Sequence, residues 1–280
     1  MTQTQKILVT GATGTVGRQV VTELLARGHE VRALTRDAAK AAFPAGVEVV
    51  EGDLTAPDGL APALEGTAGL HLITFGGAAF SPLETGPRIL ELARAAGVRR
   101  VTVLHGGGQT PLEDAVRADD GVDWTVLMPV EFMANALEWA DGIAASGEVR
   151  EPFVDRLSAM VHEGDIGAVA AAALTEEGHG GQAYVITGPE VLTVGDKVKT
   201  IAEAAGREIA LVELTEEQAV EGWRAAGLPE DVIGFLLEAY GNTPEVGRTV
   251  AGTVEKVTGR PARTFAQWAA EHADVFREQS

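Results

Sequence analysis

Residues 6–17 read Lys6-Ile7-Leu8-Val9-Thr10-Gly11-Ala12-Thr13-Gly14-Thr15-Val16-Gly17, and their reading decides the fold. A short apolar run enters a turn whose glycines fall at i, i+3 and i+6, and Val20, Val21, Leu24 and Leu25 then continue at helical spacing. A buried strand that turns sharply into a helix needs such glycines. Gly11 permits the tight turn, Gly14 lets the backbone approach a diphosphate, and Gly17 lets the helix pack closely on the strand. The helix start offers free N–H groups and about half a positive charge to a phosphate. The residues expected to hold that phosphate are Gly11, Thr13, Gly14, Thr15, Val16 and Gly17.

Working outward, Gly28 and His29 end the first helix, and Glu30-Val31-Arg32-Ala33-Leu34 reads as the second strand. Thr35-Arg36-Asp37 follows, about 20 residues past the last motif glycine, where a dinucleotide-binding fold meets the adenosine ribose. An acid ending the strand would take a ribose 2′-hydroxyl. Here Thr35 and Arg36 come first, and a guanidinium suits a 2′-phosphate. The expected cofactor is therefore NADP, and Asp37 keeps NAD open. Val47-Glu48-Val49-Val50 is a third strand, ending in Gly52-Asp53-Leu54. Asp53 and Leu54 fall where an adenine would lie, with Asp53 either taking its amino group or capping a helix near Pro57 to Leu64.

Three further strands are expected over Gly69 to Thr74, Arg99 to Leu104 and Val122 to Leu127, with helices over 82–96 and 111–119. Strands alternating with helices imply a parallel sheet with right-handed crossovers, and ligands of such sheets sit at the carboxyl ends of the strands. Gly11, Thr35, Asp53, Thr74, His105 and Pro129 are thus expected on one rim, with Thr74, Phe75 and Gly76 along the ribose and nicotinamide side. The expected fold is α/β: a Rossmann-type doubly wound parallel sheet with a smaller, mainly helical carboxyl-terminal cap. Residues 1–130 form the dinucleotide-binding core. Residues 131–280 are a mixed segment that completes the core and shapes the cap, with no clean boundary. Phe132, Met133, Leu137 and Trp139 fall on one expected helix, and an alanine-rich helix runs from Gly164 to Leu174. Gln182 to Ile186 and 209–213 read as strands, 193–205 as a helix, and most of 215–275 as helical.

Composition narrows the partners. The 280 residues carry a formal net charge of −19, which argues against nucleic acid and anionic membrane surfaces. With no cysteine there is no disulfide, thiolate metal site or cysteine nucleophile, which fits a reducing cytoplasm. Met1 runs almost directly into the first strand, leaving no room for a signal peptide, and no apolar run approaches the roughly 20 residues that span a bilayer. The expectation is a cytoplasmic protein whose partner is a small molecule. Its oligomeric state is not legible.

With these motifs in place, the chain resembles the NmrA-like group of atypical short-chain dehydrogenase/reductases over nearly its whole length. The resemblance rests on Val9 to Gly17, Gly52-Asp53-Leu54, Asp123-Trp124-Thr125-Val126-Leu127-Met128-Pro129, Phe132-Met133-Ala134-Asn135, Gly164 to Ala170 and Thr187-Gly188-Pro189-Glu190. The first motif is shared with many nucleotide-binding proteins; the later ones are more specific in combination. The resemblance implies an NAD(P)H-binding protein. The group holds reductases of quinones, azo dyes and phenylpropanoid ethers, tailoring enzymes of aromatic polyketides, and redox sensors that bind the dinucleotide without reducing anything. Hydride transfer to a quinone-like or polycyclic aromatic substrate is the expected function. Aromatic polyketide oxygenation and non-catalytic sensing are the alternatives.

The residues themselves restrict the chemistry. The superfamily's usual Tyr-x-x-x-Lys pair is missing, because Gly188 stands four residues after Tyr184 and Pro244 four after Tyr240. His105 stands near the place of the serine that normally orients a substrate carbonyl, and a histidine can exchange protons near neutrality. His105 and Asn135 are the catalytic candidates, and Glu131, Phe132, Asn135 and Trp139 are the pocket candidates. None of Lys6, Lys40, Lys197, Lys199 and Lys256 falls visibly at the rim near Pro129. The six histidines show no metal-binding spacing, so no metal is expected. No serine sits in G-x-S-x-G, and there is no P-loop motif.

Overall fold

Ile7, Leu8 and Val9 are fully buried, as a strand covered on both faces requires, and they lie in the interior of the sheet. The computed structural model describes residues 4–77 and 81–277. In chain order its elements begin β1 (Lys6–Val9), α1 (Thr15–Ala26), β2 (Glu30–Thr35), β3 (Val47–Glu51), α2 (Ala61–Leu64) and β4 (Gly69–Ile73). The short strands β5 (Phe75–Gly76) and β6 (Ser81–Pro82) follow, then α3 (Gly86–Ala95), β7 (Arg100–Leu104), α4 (Pro111–Arg117) and β8 (Asp123–Pro129). Next come α5 (Ala140–Ser146), β9 (Glu148–Pro152), α6 (Glu163–Thr175), β10 (Gln182–Ile186), α7 (Val194–Ala205) and β11 (Ala210–Leu214). The chain continues through α8 (Glu216–Ala225), α9 (Glu230–Gly241), α10 (Thr253–Thr258), α11 (Phe265–Glu271) and α12 (Ala273–Phe276).

Seven parallel strands pair in the order β10-β8-β7-β4-β1-β2-β3, which is the α/β Rossmann-type sheet expected from the sequence. The chain divides into two compact units. The first holds the residues through Pro129 together with Glu163–Ile186 and Thr253–Arg260, and so contains the whole sheet. The second holds Val130–His162, Thr187–Gly252 and the residues from Pro261 onward.

Within the first unit, α1 packs against α6, a helix buried along its whole length. A helix apolar on all sides belongs in an interior, and small residues let another helix approach it. At Gly167 an added Cβ would lie 2.7 Å from the backbone of Gln19 in α1. Leu8, Leu34, Leu70, Leu72, Val101 and Val103 lie in the apolar cluster of the sheet. Each fully buried side chain of this size contributes about 1.5–3 kcal/mol. In the second unit β9 and β11 form a two-stranded parallel sheet. Trp268 is fully buried there, stacked on Phe265 and His272 with ring centroids 5.4 and 4.4 Å away.

Two expected helices are shorter or tighter than the pattern suggested. The helix expected from residue 82 begins at Gly86, because Ser81 and Pro82 pair with Phe75 and Gly76. The one expected to carry Phe132, Met133, Leu137 and Trp139 is a 3-10 helix over Met133–Trp139. Its entry is held as extended chain, since Met133 N–H donates to Val161 O at 2.9 Å and Val161 N–H to Glu131 O at 2.9 Å. Among the described residues no helix is long and apolar enough to cross a membrane.

Candidate functional site

The glycine turn lies at the carboxyl end of β1. Gly11 takes φ +59°, and a Cβ there would meet Ile73 at 2.8 Å. Gly14 N–H closes the turn on Gly11 O at 2.9 Å. At Gly17 a Cβ would fall 2.1 Å from Gly11 O, so only glycine allows the helix to start this close to the strand. Gly14 is the N-cap residue of α1 and supplies no side-chain cap. Thr13, Gly14 and Thr15 are exposed, while Val16 and Gly17 are buried. The first N–H groups of α1 therefore have neither a helical partner nor a capping side chain, the arrangement that binds phosphate. Arg18, which the sequence reading passed over, braces this turn, its Nε donating to Thr13 O at 2.9 Å and its Nη1 to Ala42 O at 3.1 Å.

Thr35 ends β2, and its Oγ1 accepts from Asp37 N–H at 3.3 Å. Asp37 is occupied locally, with Lys40 Nζ at 2.9 Å and Lys40 N–H donating to Oδ1 at 3.3 Å. Arg36 is exposed and makes no hydrogen bond or ion pair with any described residue. Asp53 closes a turn rather than capping the helix after Pro57. Its Oδ1 accepts from Thr55 N–H and from Thr55 Oγ1, each at 2.8 Å. Those two hydrogen bonds, with the charge of Arg36 adding a little, hold its carboxyl below the usual range. Leu54 is buried in the sheet's apolar cluster.

Thr74 is buried just past β4, its Oγ1 donating to Leu104 O at 3.3 Å and its carbonyl accepting from Leu83 N–H at 2.9 Å. Phe75 and Gly76 form β5, and the Phe75 ring lies against Gly106, where a Cβ would come within 2.2 Å of the ring. His105 follows β7. Its N–H donates to Leu127 O at 2.8 Å, and its Nδ1 lies 2.8 Å from Glu113 Oε1. Glu113 is buried and shares the capping box that starts α4, its Oε2 accepting from Thr110 N–H at 3.0 Å and from Thr110 Oγ1 at 3.1 Å. Pro129 ends β8. Gly11, Thr35, Asp53, Thr74, His105 and Pro129 thus all follow or end strands of one parallel sheet, at its carboxyl side.

A family model described as NAD(P)H-binding matches residues 11–116. The chain is 38% identical to (4-alkanoyl-5-oxo-2,5-dihydrofuran-3-yl)methyl phosphate reductase of Streptomyces griseus, over 96% of this chain and 99% of that protein. It is 36% identical to NAD(P)H azoreductase of Xenophilus azovorans, again over 96% and 99%. Its fold matches that of the NADPH-dependent quinone oxidoreductase from Escherichia coli complexed with NADPH, with a TM-score of 0.76 at 24% identity over 95% of this chain and 99% of that one. The chain belongs to the NmrA-like family of atypical short-chain dehydrogenase/reductases. The two curated relatives are named as reductases, and the azoreductase and the quinone oxidoreductase are named for a nicotinamide cofactor. The uncapped, exposed start of α1, with glycine where a side chain would occupy a phosphate's place, fits that cofactor.

In the second unit, Glu131 Oε2 lies 3.1 Å from Lys197 Nζ, which also donates to Ser158 Oγ at 2.7 Å. Lys197 was among the lysines that showed no place near Pro129; its ammonium in fact binds the side chain two residues beyond that proline. It is fully buried, and the resulting desolvation lowers its pKa against the opposing pull of Glu131. Trp139 Nε1 donates to Glu151 Oε1 at 2.7 Å, and Arg156 bonds the other oxygen at 3.0 Å. The Arg156 guanidinium lies 4.1 Å from the Tyr240 ring centroid. Tyr240 is pushed up to about 12, first by burial and then by Glu151. Phe132 bridges Val161 through its backbone. Asn135 is exposed, and its side chain bonds no described residue. The sequence did carry a signal for Glu113, since Thr110-x-x-Glu113 is a capping-box spacing. Nothing in the sequence joined Lys197 to Glu131.

Proposed function

We propose that this chain is an NADPH-dependent reductase that delivers hydride to an electron-poor conjugated acceptor of the quinone-like or polycyclic aromatic class. The observation that carries the reading is the open start of α1 on the same sheet edge as His105, a histidine held through Nδ1 whose Nε2 bonds none of the described residues. The relatives' named acceptors include an azo compound and an unsaturated furanone. A quinone belongs with them, because each gives a stabilised anion after accepting hydride. Such acceptors need little help from an acid, which suits a chain without the Tyr-x-x-x-Lys pair.

Gly11, Thr13, Gly14, Thr15, Val16 and Gly17 are the proposed diphosphate cradle, Arg36 and Thr35 the 2′-phosphate end, and Asp53 and Leu54 the adenine end. Thr74, Phe75, Gly76, His105 and Pro129 complete the proposed cofactor side. Glu131, Phe132, Asn135 and Trp139 are proposed for the substrate. The bound cofactor supplies a hydride from its reduced nicotinamide. The chain's own part is to hold the phosphates on α1, to exclude misplacement through Phe75 and Gly106, and to offer a proton from His105. The test is NADPH consumption, beside NADH, by the purified protein with a panel of quinones, azo dyes and polycyclic aromatic ketones. Turnover favouring NADPH supports the proposal. Tight dinucleotide binding with no acceptor reduced would replace it with a sensing role.

A further inference from the structure

The capping box at α4 uses one carboxylate oxygen and leaves the other pointing elsewhere. Glu113 Oε2 takes both Thr110 donors, N–H at 3.0 Å and Oγ1 at 3.1 Å, while Oε1 receives His105 Nδ1 at 2.8 Å. The Glu113 side chain is 2% exposed and the His105 side chain 19% exposed. Thr110 therefore fixes the carboxylate, and the carboxylate fixes the ring. From the other side, His105 N–H is tied to Leu127 O at 2.8 Å, so the backbone cannot swing the ring away. His105 Nε2 has no hydrogen-bond partner among the described residues and is not one of the sealed, orphaned atoms of the interior.

We propose that Glu113 is a positioning residue for His105: it keeps the proton on Nδ1 and aims Nε2 outward as the exchanging atom. This rests on the reductase reading above only for its chemical use. A neutral ring held by a carboxylate presents a lone pair at Nε2, and a protonated ring presents Nε2–H. As the acceptor gains hydride with its electron pair, an oxygen or nitrogen anion forms on it. The Nε2–H bond breaks and that proton joins the anion. The ring is left neutral with Nδ1–H still on Glu113, and water restores the proton. The cofactor is oxidised and the acceptor reduced by two electrons, with one proton drawn from solvent.

Other charges do not compete for this role. On α4, Asp114 is turned to Gln109, and Arg117 lies over Trp124 at 5.2 Å. The carboxyl ends of the flanking strands bring Ile73 and Thr74 from β4, and Met128 and Pro129 from β8, none of them titratable.

The test is imidazole nitrogen NMR on the full chain, with His105 assigned by its loss in His105→Asn. The wild type is expected to show the Nδ1–H tautomer at high pH. In Glu113→Gln the amide oxygen keeps the Thr110 contacts and the amide NH2 then faces Nδ1, so the ring is expected to switch to the Nε2–H tautomer. An Nε2–H tautomer in the wild type overturns the proposal without any variant, so a Glu113→Gln chain that fails to fold does not shield it. A folded Glu113→Gln that keeps the Nδ1–H tautomer also overturns it. In turnover, Glu113→Gln is expected to lower kcat about tenfold with KM unchanged. A protein that reduces nothing defeats the proposed function, while the tautomer still decides Glu113 on its own.

Discussion

Helix α1 and helix α7 begin in opposite ways. At α7, Thr193 Oγ1 accepts from Asp196 N–H at 3.1 Å, and Asp196 Oδ2 accepts from Thr193 N–H at 2.9 Å, so the chain satisfies its own helix end. α4, α8 and α11 are closed by the same reciprocal box. At α1 the cap is Gly14, and no side chain bonds the free amides. Glycine in place of a capping side chain costs only a few tenths of a kcal/mol, so this opening is tolerated. Helices α3, α5 and α9 also lack a side-chain cap, so what sets α1 apart is a glycine cap between the exposed Thr13 and Thr15 in the glycine-spaced turn, and that is where a ligand is expected to complete the protein. The same contrast separates two histidines of the sheet. His71 is sealed inside, with Nδ1 2.8 Å from Thr102 Oγ1 and Nε2 orphaned, whereas His105 keeps its Nε2 accessible at the sheet edge.

The largest expected effect falls on the turn that brings α1 to the strand. Gly17→Ala places a Cβ 2.1 Å from Gly11 O, with backbone on both sides and no flexible side chain to yield. We expect a loss of about 3 kcal/mol or more, read by urea unfolding. A midpoint equal to the wild type would mean that α1 can start further from β1 than the structure shows.

The sealed histidine comes next. Burial pushes His71 down to about 4, so it stays neutral in the fold while the unfolded chain binds a proton near pH 6.5. Its contribution is complete above pH 6.5 and is lost as pH falls from there toward 4. The loss amounts to about 3 kcal/mol at the acid end. In His71→Leu this part of the pH slope is expected to disappear. A slope that persists would place the acid sensitivity in other groups.

Most of the first unit was legible because its signals are local. Glycine spacing, apolar runs and strand-ending polar residues carried β1, β2, β3, β4, β7 and β8 with boundaries shifted by only a few residues, but not the short β5–β6 pair, whose second strand was read as the start of a helix. The alanine-rich stretch was legible as a helix, but its return beside α1 was not, because that depends on Gly167 meeting Gln19 across the chain. The strand-ending residues could be named from sequence, since a parallel sheet gathers such ends. The Glu113–His105 bond could not, although both parts were in view. A capping box predicts where one carboxylate oxygen goes and says nothing of the other. Lys197 escaped for a simpler reason: a lysine on an amphipathic helix reads as solvated, and only packing reveals that its ammonium is buried against Glu131.

Gly14→Val separates the open helix start from the closed ones directly. Gly14 has φ −80° and ψ 173°, which valine adopts freely, and a Cβ would sit 3.2 Å from Gly11 O, a tight but tolerable approach. We expect stability to fall by about 1 kcal/mol and NADPH affinity by about a hundredfold or more, read by calorimetry. Thr193→Ala is the matched control. It removes a real cap, costs about 1 kcal/mol, and is expected to leave NADPH affinity alone. Equal NADPH binding by both variants would break the comparison.

The smallest effect concerns which dinucleotide the open end prefers. Asp37, the residue that could favour NAD, already has Lys40 Nζ at 2.9 Å, so its carboxylate is partly neutralised and occupied. Arg36, one residue earlier, has no such partner and stands exposed after the end of β2. A free guanidinium beside an occupied carboxylate favours a 2′-phosphate over a 2′-hydroxyl. Arg36→Ala is expected to lower the NADPH over NADH preference by about tenfold, the worth of one charge-assisted hydrogen bond, with NADH affinity unchanged. Lys40→Ala acts in the same direction by a different route, freeing Asp37 to accept a ribose hydroxyl and so raising NADH affinity. If Arg36→Ala weakens both dinucleotides equally, the guanidinium serves the common diphosphate, and the preference must be sought in Thr35 and Asp37 instead.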